Sequence, residues 1–238
     1  MARIILVHGA WGDATGWARL VPLLEKAGHQ VEALDLPGHG RSAVPPETVG
    51  QAEYVAHVEQ VLLQGPPAML VGHSMGGIVI AQVAGRQPAR VTACVYVAAL
   101  VPRDGESLLG LIRQQDTPGI QVAVLPGPVA GTTALNPDVA APIVLPDASP
   151  ALAALALAAM GVQSNKAQVE PAVIGPGFAT VPRAYVFCSQ DRVVTPALQR
   201  QMVDATPCEA EFTLDCGHVP QLTQPKALAE IVNGLASA

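Results

Sequence analysis

One short stretch, Gly72-His73-Ser74-Met75-Gly76, places a single serine between two glycines. An apolar run at 68–71 comes before it and an amphipathic segment follows it at once. The G-x-S-x-G spacing between a strand and a helix is typical of a sharp turn that exposes a nucleophilic hydroxyl. Side chains two positions before and after the serine would collide in such a turn. The chemistry predicted is attack of Ser74 on a carbonyl; an ordinary glycine-rich turn is the alternative.

A serine hydroxyl needs a base to take its proton. His218 is the only histidine after Ser74 and follows the apolar run 210–214. In the architecture that carries this turn, the histidine comes last in the chain. We therefore predict that His218 is the base, against the alternative of a histidine in a surface loop.

The base in turn needs a carboxylate that orients it. Asp191 lies just after the apolar run 183–189 and before a predicted helix start at Thr195-Pro196. This position puts it at the same edge of a sheet as Ser74 and His218. Asp191 is the predicted acid; a helix-capping or salt-bridged aspartate is the alternative.

Acyl transfer also requires hydrogen-bond donors for the oxyanion. The backbone N–H of Met75, directly after the nucleophile, should supply one. The backbone N–H of Ala10 should supply the other, because Gly9 lets that loop approach closely. Trp11 is expected to line the pocket or to pack in the core. Three other histidines, His29, His39 and His57, are expected in loops or on helix surfaces. His8 is expected to be structural, and His73 receives no catalytic role.

Short apolar runs alternate with helical patterns over the first hundred residues. Continuous apolar runs predict strands buried on both faces, which is typical of a parallel sheet covered by helices. The predicted strands are 3–7, 30–34, 68–73, 91–99, 183–189 and 210–214. Helices are predicted from about 17 to 28, over 52–63 and 75–86, from Pro196 and over 225–236.

The alternation stops between residues 102 and 177, a segment rich in proline. It holds helical stretches at 106–115 and 150–160, the second opened by Ser149 and Pro150. No strand pattern is clear there. We predict a small helical cap inserted at 102–177 between two parts of one core domain, 1–101 and 178–238.

Several segments resemble the α/β-hydrolase superfamily, in the branch of plant methyl-ester esterases, hydroxynitrile lyases and bacterial pyrethroid-type carboxylesterases. Among them are LVHGAWG (6–12), LVGHSMGGIVIAQVA (70–84), CSQDRVVTP (188–196) and DCGHVPQLTQP (215–225). The resemblance covers nearly the whole chain and is weakest in 102–177. It implies an α/β-hydrolase fold, with a mostly parallel, doubly covered sheet and a Ser74–Asp191–His218 triad. It also implies an oxyanion hole at Ala10 and Met75 and no cofactor. No metal is expected, because the four cysteines lack the spacing of a metal site.

Two departures favour the esterases of that branch. The lyases carry threonine where this chain has Gly9, and a cyanide-stabilising lysine where it has Val219. The expected activity is carboxylic ester hydrolysis through an acyl-enzyme on Ser74. A lyase that cleaves a C–C bond and a non-catalytic small-ligand receptor on the same fold are the alternatives.

Composition limits the partners. Half of the residues are hydrophobic and the net charge is −6, which argues against nucleic acid and anionic membranes. No aromatic residue occurs from 97 to 177, so the cap should present aliphatic side chains to a small apolar ester. Four scattered cysteines and no signal-peptide pattern favour the cytoplasm. A homodimer stays open.

Overall fold

Four strands and three helices alternate in the first part of the computed structural model, which describes residues 1–237. In chain order these elements are β1 (Arg3–Val7), α1 (Val21–Lys26), β2 (Gln30–Leu34), α2 (Gln51–Leu63), β3 (Ala68–His73), α3 (Gly76–Arg86) and β4 (Val91–Val97). The predicted first helix begins later than expected. A short 3₁₀ helix, Ala14–Trp17, precedes it, and Pro22 lies in the first turn of α1.

The segment 102–177 contains both helices and strands. Its elements are α4 (Leu108–Ile112), β5 (Val124–Pro126), β6 (Thr132–Leu135), α5 (Pro137–Val144), α6 (Pro150–Ala158), β7 (Gln163–Ser164) and α7 (Asn165–Val169). The three strands form a small antiparallel sheet. Our expectation that no strand occurs here was wrong, because strands of two to four residues are too short to show a period. Ser149 caps α6 through its side chain, as predicted. We refer to 102–177 as the proposed cap.

Strands and helices alternate again after the proposed cap. The remaining elements are β8 (Arg183–Cys188), α8 (Pro196–Ala205), β9 (Ala210–Leu214), α9 (Pro220–Thr223) and α10 (Pro225–Ser237). Strands β1 to β4, β8 and β9 make one six-stranded sheet in the order β2-β1-β3-β4-β8-β9. All of its neighbouring pairs are parallel, which confirms the predicted parallel sheet.

Apolar side chains cover both faces of this sheet. Along β1, Ile5 and Val7 join the core cluster that contains α2 and α3, whereas Ile4 and Leu6 join the cluster that contains α1 and α10. This alternation follows from the two-residue period of a strand. Each such side chain is fully buried and stabilises the fold by about 1.5–3 kcal/mol. A continuous apolar run is therefore what a strand with two covered faces requires.

The carboxyl ends of the parallel strands meet at one edge of the sheet, where α/β proteins bind their ligands. The connection after β1 carries Gly9 and Ala10, and the one after β3 carries Ser74. The connections after β8 and β9 carry Asp191 and His218. Among residues 1–237, none of the helices has the length and apolar character needed to cross a membrane.

Two buried histidines lie below this edge. The Nδ1 of His8 donates to the Gly9 carbonyl (2.8 Å), and its Nε2 accepts from the Leu36 N–H (3.1 Å). The Nδ1 of His39 donates to the Gly12 carbonyl (3.0 Å), and its Nε2 accepts from the Tyr54 hydroxyl (3.0 Å). A carbonyl only accepts, so Nδ1 carries the proton in both rings. Nε2 accepts from the Leu36 N–H in one ring and from the Tyr54 hydroxyl in the other, so both rings are neutral. Burial lowers the pKa of His8 to about 4 and that of His39 to about 3.

The prediction of a structural His8 agrees with these bonds, but two of the expected surface histidines are buried. Only 4 % of His39 and 6 % of His29 is exposed. The Nδ1 of His29 accepts from the Ala2 N–H, and its Nε2 is bonded to Asn233 Oδ1. Their partners come from distant segments, so no local pattern indicated burial.

We expect acid to destabilise the fold through His8 and His39. Below pH 6.5 the unfolded chain binds a proton at each site, whereas the folded chain does not until about pH 4 or about pH 3. Because the unfolded state then binds more protons, the unfolding free energy decreases as the pH is lowered, by up to about 1.4 kcal/mol per pH unit for each histidine. His39→Gln should flatten this dependence in urea titrations between pH 7 and pH 5. Equal slopes for wild type and His39→Gln would contradict the prediction.

Candidate active site

Ser74 occupies a strained turn between β3 and α3. Its φ is 53°, a left-handed backbone conformation that residues other than glycine rarely adopt. A Cβ built on Gly72 would lie 2.7 Å from the carbonyl oxygen of Gly76, and one on Gly9 would lie 2.8 Å from the Ser74 Cβ. The steric reason that we gave for glycine at position 72 therefore holds, and glycine at position 9 lets the loop after β1 lie against Ser74.

The backbone around the turn holds Ser74 in place. Its carbonyl oxygen accepts from the N–H groups of Gly77 (3.1 Å) and Leu100 (3.0 Å), while its own N–H donates to the Val97 carbonyl (3.3 Å). Helix α3 begins two residues later at Gly76. The positive end of the helix dipole therefore faces the serine, and it favours negative charge that develops there.

Asp191 and His218 are in direct contact. The Nδ1 of His218 donates to Asp191 Oδ2 at 2.8 Å, and the side chains are 5 % and 0 % exposed. This bond places the ring proton on Nδ1 and leaves Nε2 as an acceptor. Ser74 and His218 line the same cavity. The structure therefore brings the three sequence-predicted residues to one place at the carboxyl edge of the sheet.

Backbone and side-chain donors surround the buried Asp191 carboxylate. Its Oδ1 accepts from the N–H groups of Val193 (2.7 Å) and Val194 (3.0 Å). Its Oδ2 accepts from His218 and from Gln199 Nε2 (3.2 Å). A buried carboxylate is tolerated only when it is bonded in this way. These contacts point the carboxylate at His218.

Gln199 was missed by the sequence analysis. The side chain is fully buried on α8, where Nε2 also donates to the Val194 carbonyl (2.7 Å) and Oε1 accepts from the Cys188 N–H (3.0 Å). Its amide thus joins the end of β8 to the loop that carries Asp191. The available signal was a polar residue on the apolar face of a helix, next to Leu198 and Met202.

His73 supports the loop that carries His218. Its Nε2 donates to the backbone carbonyl of His218 at 2.8 Å, and the two rings are 4.6 Å apart. Burial and the neighbouring His218 hold the pKa of His73 well below its usual value. His73 is therefore a neutral donor that acts on backbone, which agrees with our expectation that it has no catalytic role.

Two backbone N–H groups are available beside Ser74. Gly9 lies against the serine, and Ala10 and Met75 come directly after Gly9 and Ser74. Within residues 1–237, neither the Ala10 N–H nor the Met75 N–H donates a hydrogen bond. Met75 is fully buried, where an unpaired donor is costly. The predicted oxyanion donors are thus unpaired.

The cavity at Ser74 has two lobes. The first lobe, of about 370 Å³, contains His218 and is lined mostly by apolar side chains, including Val144 and Leu152 of the proposed cap and Val219. The second lobe, of about 470 Å³, lies against α4 and α7 and does not contain His218. The lobes share only five lining residues: Ala10, Trp11, Ser74, Ile120 and Val193.

The second lobe is more polar than expected. Four polar residues of the proposed cap line it: Gln121, Thr133, Asn165 and Gln168. The cap does present aliphatic side chains here, among them Leu108, Ile112 and Val124, and it adds amide and hydroxyl groups that the expectation did not include. Trp11 lines both lobes and donates from Nε1 to Thr133 Oγ1 (3.2 Å). It therefore belongs to the pocket.

No metal-binding cluster accompanies this site. Across the described part of the chain, 1–237, no group of three or more histidine, cysteine, aspartate or glutamate side chains is arranged to hold an ion. The groups able to act on a ligand are the serine hydroxyl, the imidazole with its carboxylate and the backbone donors. This set is suited to nucleophilic acyl transfer.

Comparison of sequences relates this chain to hydrolases. The family profile described as "Alpha/beta hydrolase family" matches residues 4–231. The chain is 31 % identical over 244 residues to the "Probable hydrolase R7" of Phoma sp., which covers 98 % of this chain and 97 % of that protein. It is 24 % identical over 247 residues to "Methylesterase 9" of Arabidopsis thaliana, with 97 % and 96 % covered.

Comparison of structures gives the same result. The crystal structure of the pyrethroid hydrolase PytH with BIF superposes with a TM-score of 0.87 and 25 % identity, covering 100 % of this chain and 98 % of that chain. Polyneuridine aldehyde esterase superposes with a TM-score of 0.87 at 22 % identity, which covers 99 % of each chain and shows a shared fold.

We predict that Gln199→Leu loosens the Asp191–His218 contact. The substitution removes donors to Asp191 and Val194 and leaves the Cys188 N–H unpaired, and each buried group left unpaired costs about 1–3 kcal/mol. The unfolding free energy should therefore fall by at least about 2 kcal/mol in urea titrations, and the downfield proton resonance of His218 Nδ1 should broaden or shift.

Gln201→Leu is the matched control for this experiment. Gln201 lies on the same helix, but its side chain bonds only to Gln114 at the exposed surface. Its stability and spectrum should match wild type. An unchanged His218 resonance in a folded Gln199→Leu variant would contradict the assigned role of Gln199.

Proposed function

Because this chain belongs to the alpha/beta hydrolase family, we propose that it hydrolyses carboxylic esters through an acyl-enzyme intermediate on Ser74. The observation that carries the proposal is that two features occur at one cavity. Ser74 sits in a turn at φ 53°, and His218 holds Asp191 at 2.8 Å. A strained serine and an oriented imidazole that line the same cavity are the minimum required for nucleophilic acyl transfer.

The first half of the proposed reaction forms the acyl-enzyme. The Nε2 of His218 takes the Ser74 proton as the hydroxyl oxygen attacks the ester carbonyl carbon. The carbonyl oxygen gains negative charge and is bound by the N–H groups of Ala10 and Met75, which have no other acceptor within residues 1–237. Asp191 stabilises the imidazolium that forms and keeps its Nδ1 proton in place.

The second half releases the products. The imidazolium of His218 donates its Nε2 proton to the departing alkoxide, so the alcohol leaves as a neutral molecule. Water then enters, gives a proton to the same Nε2 and attacks the acyl carbon on Ser74. Collapse of that intermediate frees the carboxylic acid and returns the proton to Ser74. No cofactor takes part in either half.

Several relatives support ester cleavage over other acyl chemistry. Proteins named methylesterase and pyrethroid hydrolase are similar to this chain over nearly its full length. The apolar first lobe fits a small, neutral ester with an apolar group next to His218. We keep the proposed cap, 102–177, as the segment that selects the substrate. We also propose a cytoplasmic location, on cysteine usage alone.

A lyase is disfavoured by two positions beside the site. A Cβ at position 9 would lie 2.8 Å from the Ser74 Cβ, so a threonine would require the loop to shift. Val219 is 5 % exposed, lines the first lobe and carries no charge with which to stabilise cyanide.

We expect Ser74→Ala to lower kcat for a p-nitrophenyl ester by at least about 1,000-fold, because the residual rate comes from binding and oxyanion donors alone. A fluorophosphonate probe should label Ser74 in wild type, as read by peptide mass spectrometry. Ser237→Ala, an exposed serine on α10, is the control and should keep wild-type turnover. Near wild-type turnover in Ser74→Ala would refute the proposal.

A cyanohydrin assay separates the esterase from the lyase. Wild type should hydrolyse the p-nitrophenyl ester and release no cyanide from mandelonitrile above the buffer rate. Cyanide release that depends on Ser74 would favour the lyase. Stable ester binding without nitrophenol release would favour the receptor.

A further inference from the structure

The two lobes of the cavity differ in the chemistry that they offer. The first contains His218 and is lined mainly by apolar side chains, whereas the second lacks His218 and holds several polar side chains of the proposed cap. In the proposed reaction, the leaving alcohol must receive its proton from His218. The alcohol therefore lies in the first lobe. The acyl group stays on Ser74 and extends into the second.

The side-chain amide of Gln168 is fixed in the second lobe. Its Nε2 lies 3.1 Å from Thr133 Oγ1 and 3.4 Å from the carbonyl oxygen of Ser164. A carbonyl only accepts, so the amide nitrogen must face Ser164. The amide oxygen is then directed away from both partners.

That oxygen has no hydrogen-bond partner. Gln168 is only 9 % exposed, yet within residues 1–237 no donor reaches its Oε1. Solvent still reaches this oxygen, and a ligand that covers it must supply a donor in place of water, because a buried carbonyl oxygen without a partner is costly. Gln168 lines the second lobe, so a bound ligand can supply that donor.

Thr133 holds Gln168 and offers nothing further to a ligand. Its Oγ1 accepts from Gln168 Nε2 and from Trp11 Nε1 (3.2 Å), and its proton is directed to the Gln163 carbonyl (3.4 Å). Trp11 is the neighbour of Ala10, which binds the oxyanion in the proposed reaction. Hydrogen bonds through Thr133 and Trp11 thus connect Gln168 to the loop beside Ser74.

We propose that the second lobe is the acyl subsite and that Gln168 Oε1 accepts a hydrogen bond from a donor on the acyl group. The preferred substrates are then esters whose acyl part carries a hydroxyl or amide N–H group. This inference rests on the proposed esterase function. It adds a polar requirement on the acyl side, where the sequence predicted only an apolar substrate.

A matched series of p-nitrophenyl esters tests the subsite. The acyl chains carry a terminal hydroxyl, acetamido, methoxy or methyl group, over several chain lengths. Methoxy matches hydroxyl in polarity but cannot donate. At one chain length, wild type should prefer the hydroxyl or acetamido ester over methoxy by about threefold to tenfold in kcat/KM, the size of one neutral hydrogen bond.

Substitutions at Gln168 should remove this preference and spare hydrolysis of the methyl-terminated ester. Gln168→Leu deletes the acceptor, and Gln168→Met deletes it with the original length should the leucine variant fold poorly. Gln201→Leu is the control, because Gln201 lies at the exposed surface, bonds only to Gln114 and lines neither lobe. It should keep the preference. Thermal melting confirms folding of each variant.

Binding of non-hydrolysable N-phenyl amides of the same acids, measured by calorimetry, separates the two proposals. Hydrolysis without a donor preference, or a preference that survives in Gln168→Leu and Gln168→Met, overturns the subsite and leaves the esterase intact. A second outcome is that the amides bind through their donor, that this binding is lost in the Gln168 variants, and that no ester is hydrolysed. This outcome overturns the esterase and the acyl assignment but retains the ligand site. Neither hydrolysis nor donor-dependent binding overturns both.

Discussion

The reversal from β3 to α3 is the constraint on which the rest of the site depends. The chain turns within a few residues, which forces Ser74 to a φ of 53°. Position 72 must be glycine because a Cβ there would lie 2.7 Å from the Gly76 carbonyl oxygen. Position 76 must be glycine because a Cβ there would collide with the backbone carbonyls of Val7 and His8. The turn is therefore clamped to the end of β1, and this packing brings the loop after β1 beside the serine.

The burial of the Asp191 carboxylate is a second constraint on the site. Its carboxylate is removed from water, and its four hydrogen bonds come from two backbone N–H groups, His218 and Gln199. Together they hold the charge beside Nδ1 of the histidine. His73 secures the histidine from the other direction, through the backbone of residue 218. The geometry of the site thus depends on two neutral side chains in the interior, Gln199 and His73, whose hydrogen bonds hold Asp191 and the backbone of residue 218.

Residues of the proposed cap line both lobes of the cavity at Ser74. Its helices α5 and α6 contribute apolar side chains to the first lobe, and α4 and α7 line the second. Trp11 joins the core to this segment through Thr133, and the Gly161 N–H donates to the Trp11 carbonyl (2.8 Å). In the proposed reaction, substitutions in this segment change which ester is bound, while the groups that act on the carbonyl remain on the core. Such a separation would let one catalytic arrangement serve many substrates.

Local sequence determined much of this protein. The predicted bounds of β1 and β3 match the structure, since a nearly continuous apolar run between glycine, proline and polar residues shows where a strand must lie. The motif around Ser74 and the order of Asp191 and His218 predicted their shared edge. Only the tertiary structure decided that His39 is buried, that Gln199 holds Asp191 and that β6 pairs with β7, because these depend on segments far apart in the chain. It also decided the polarity of the second lobe. A side chain's period and volume are local properties, whereas its burial and its hydrogen-bond partner exist only once the chain has packed.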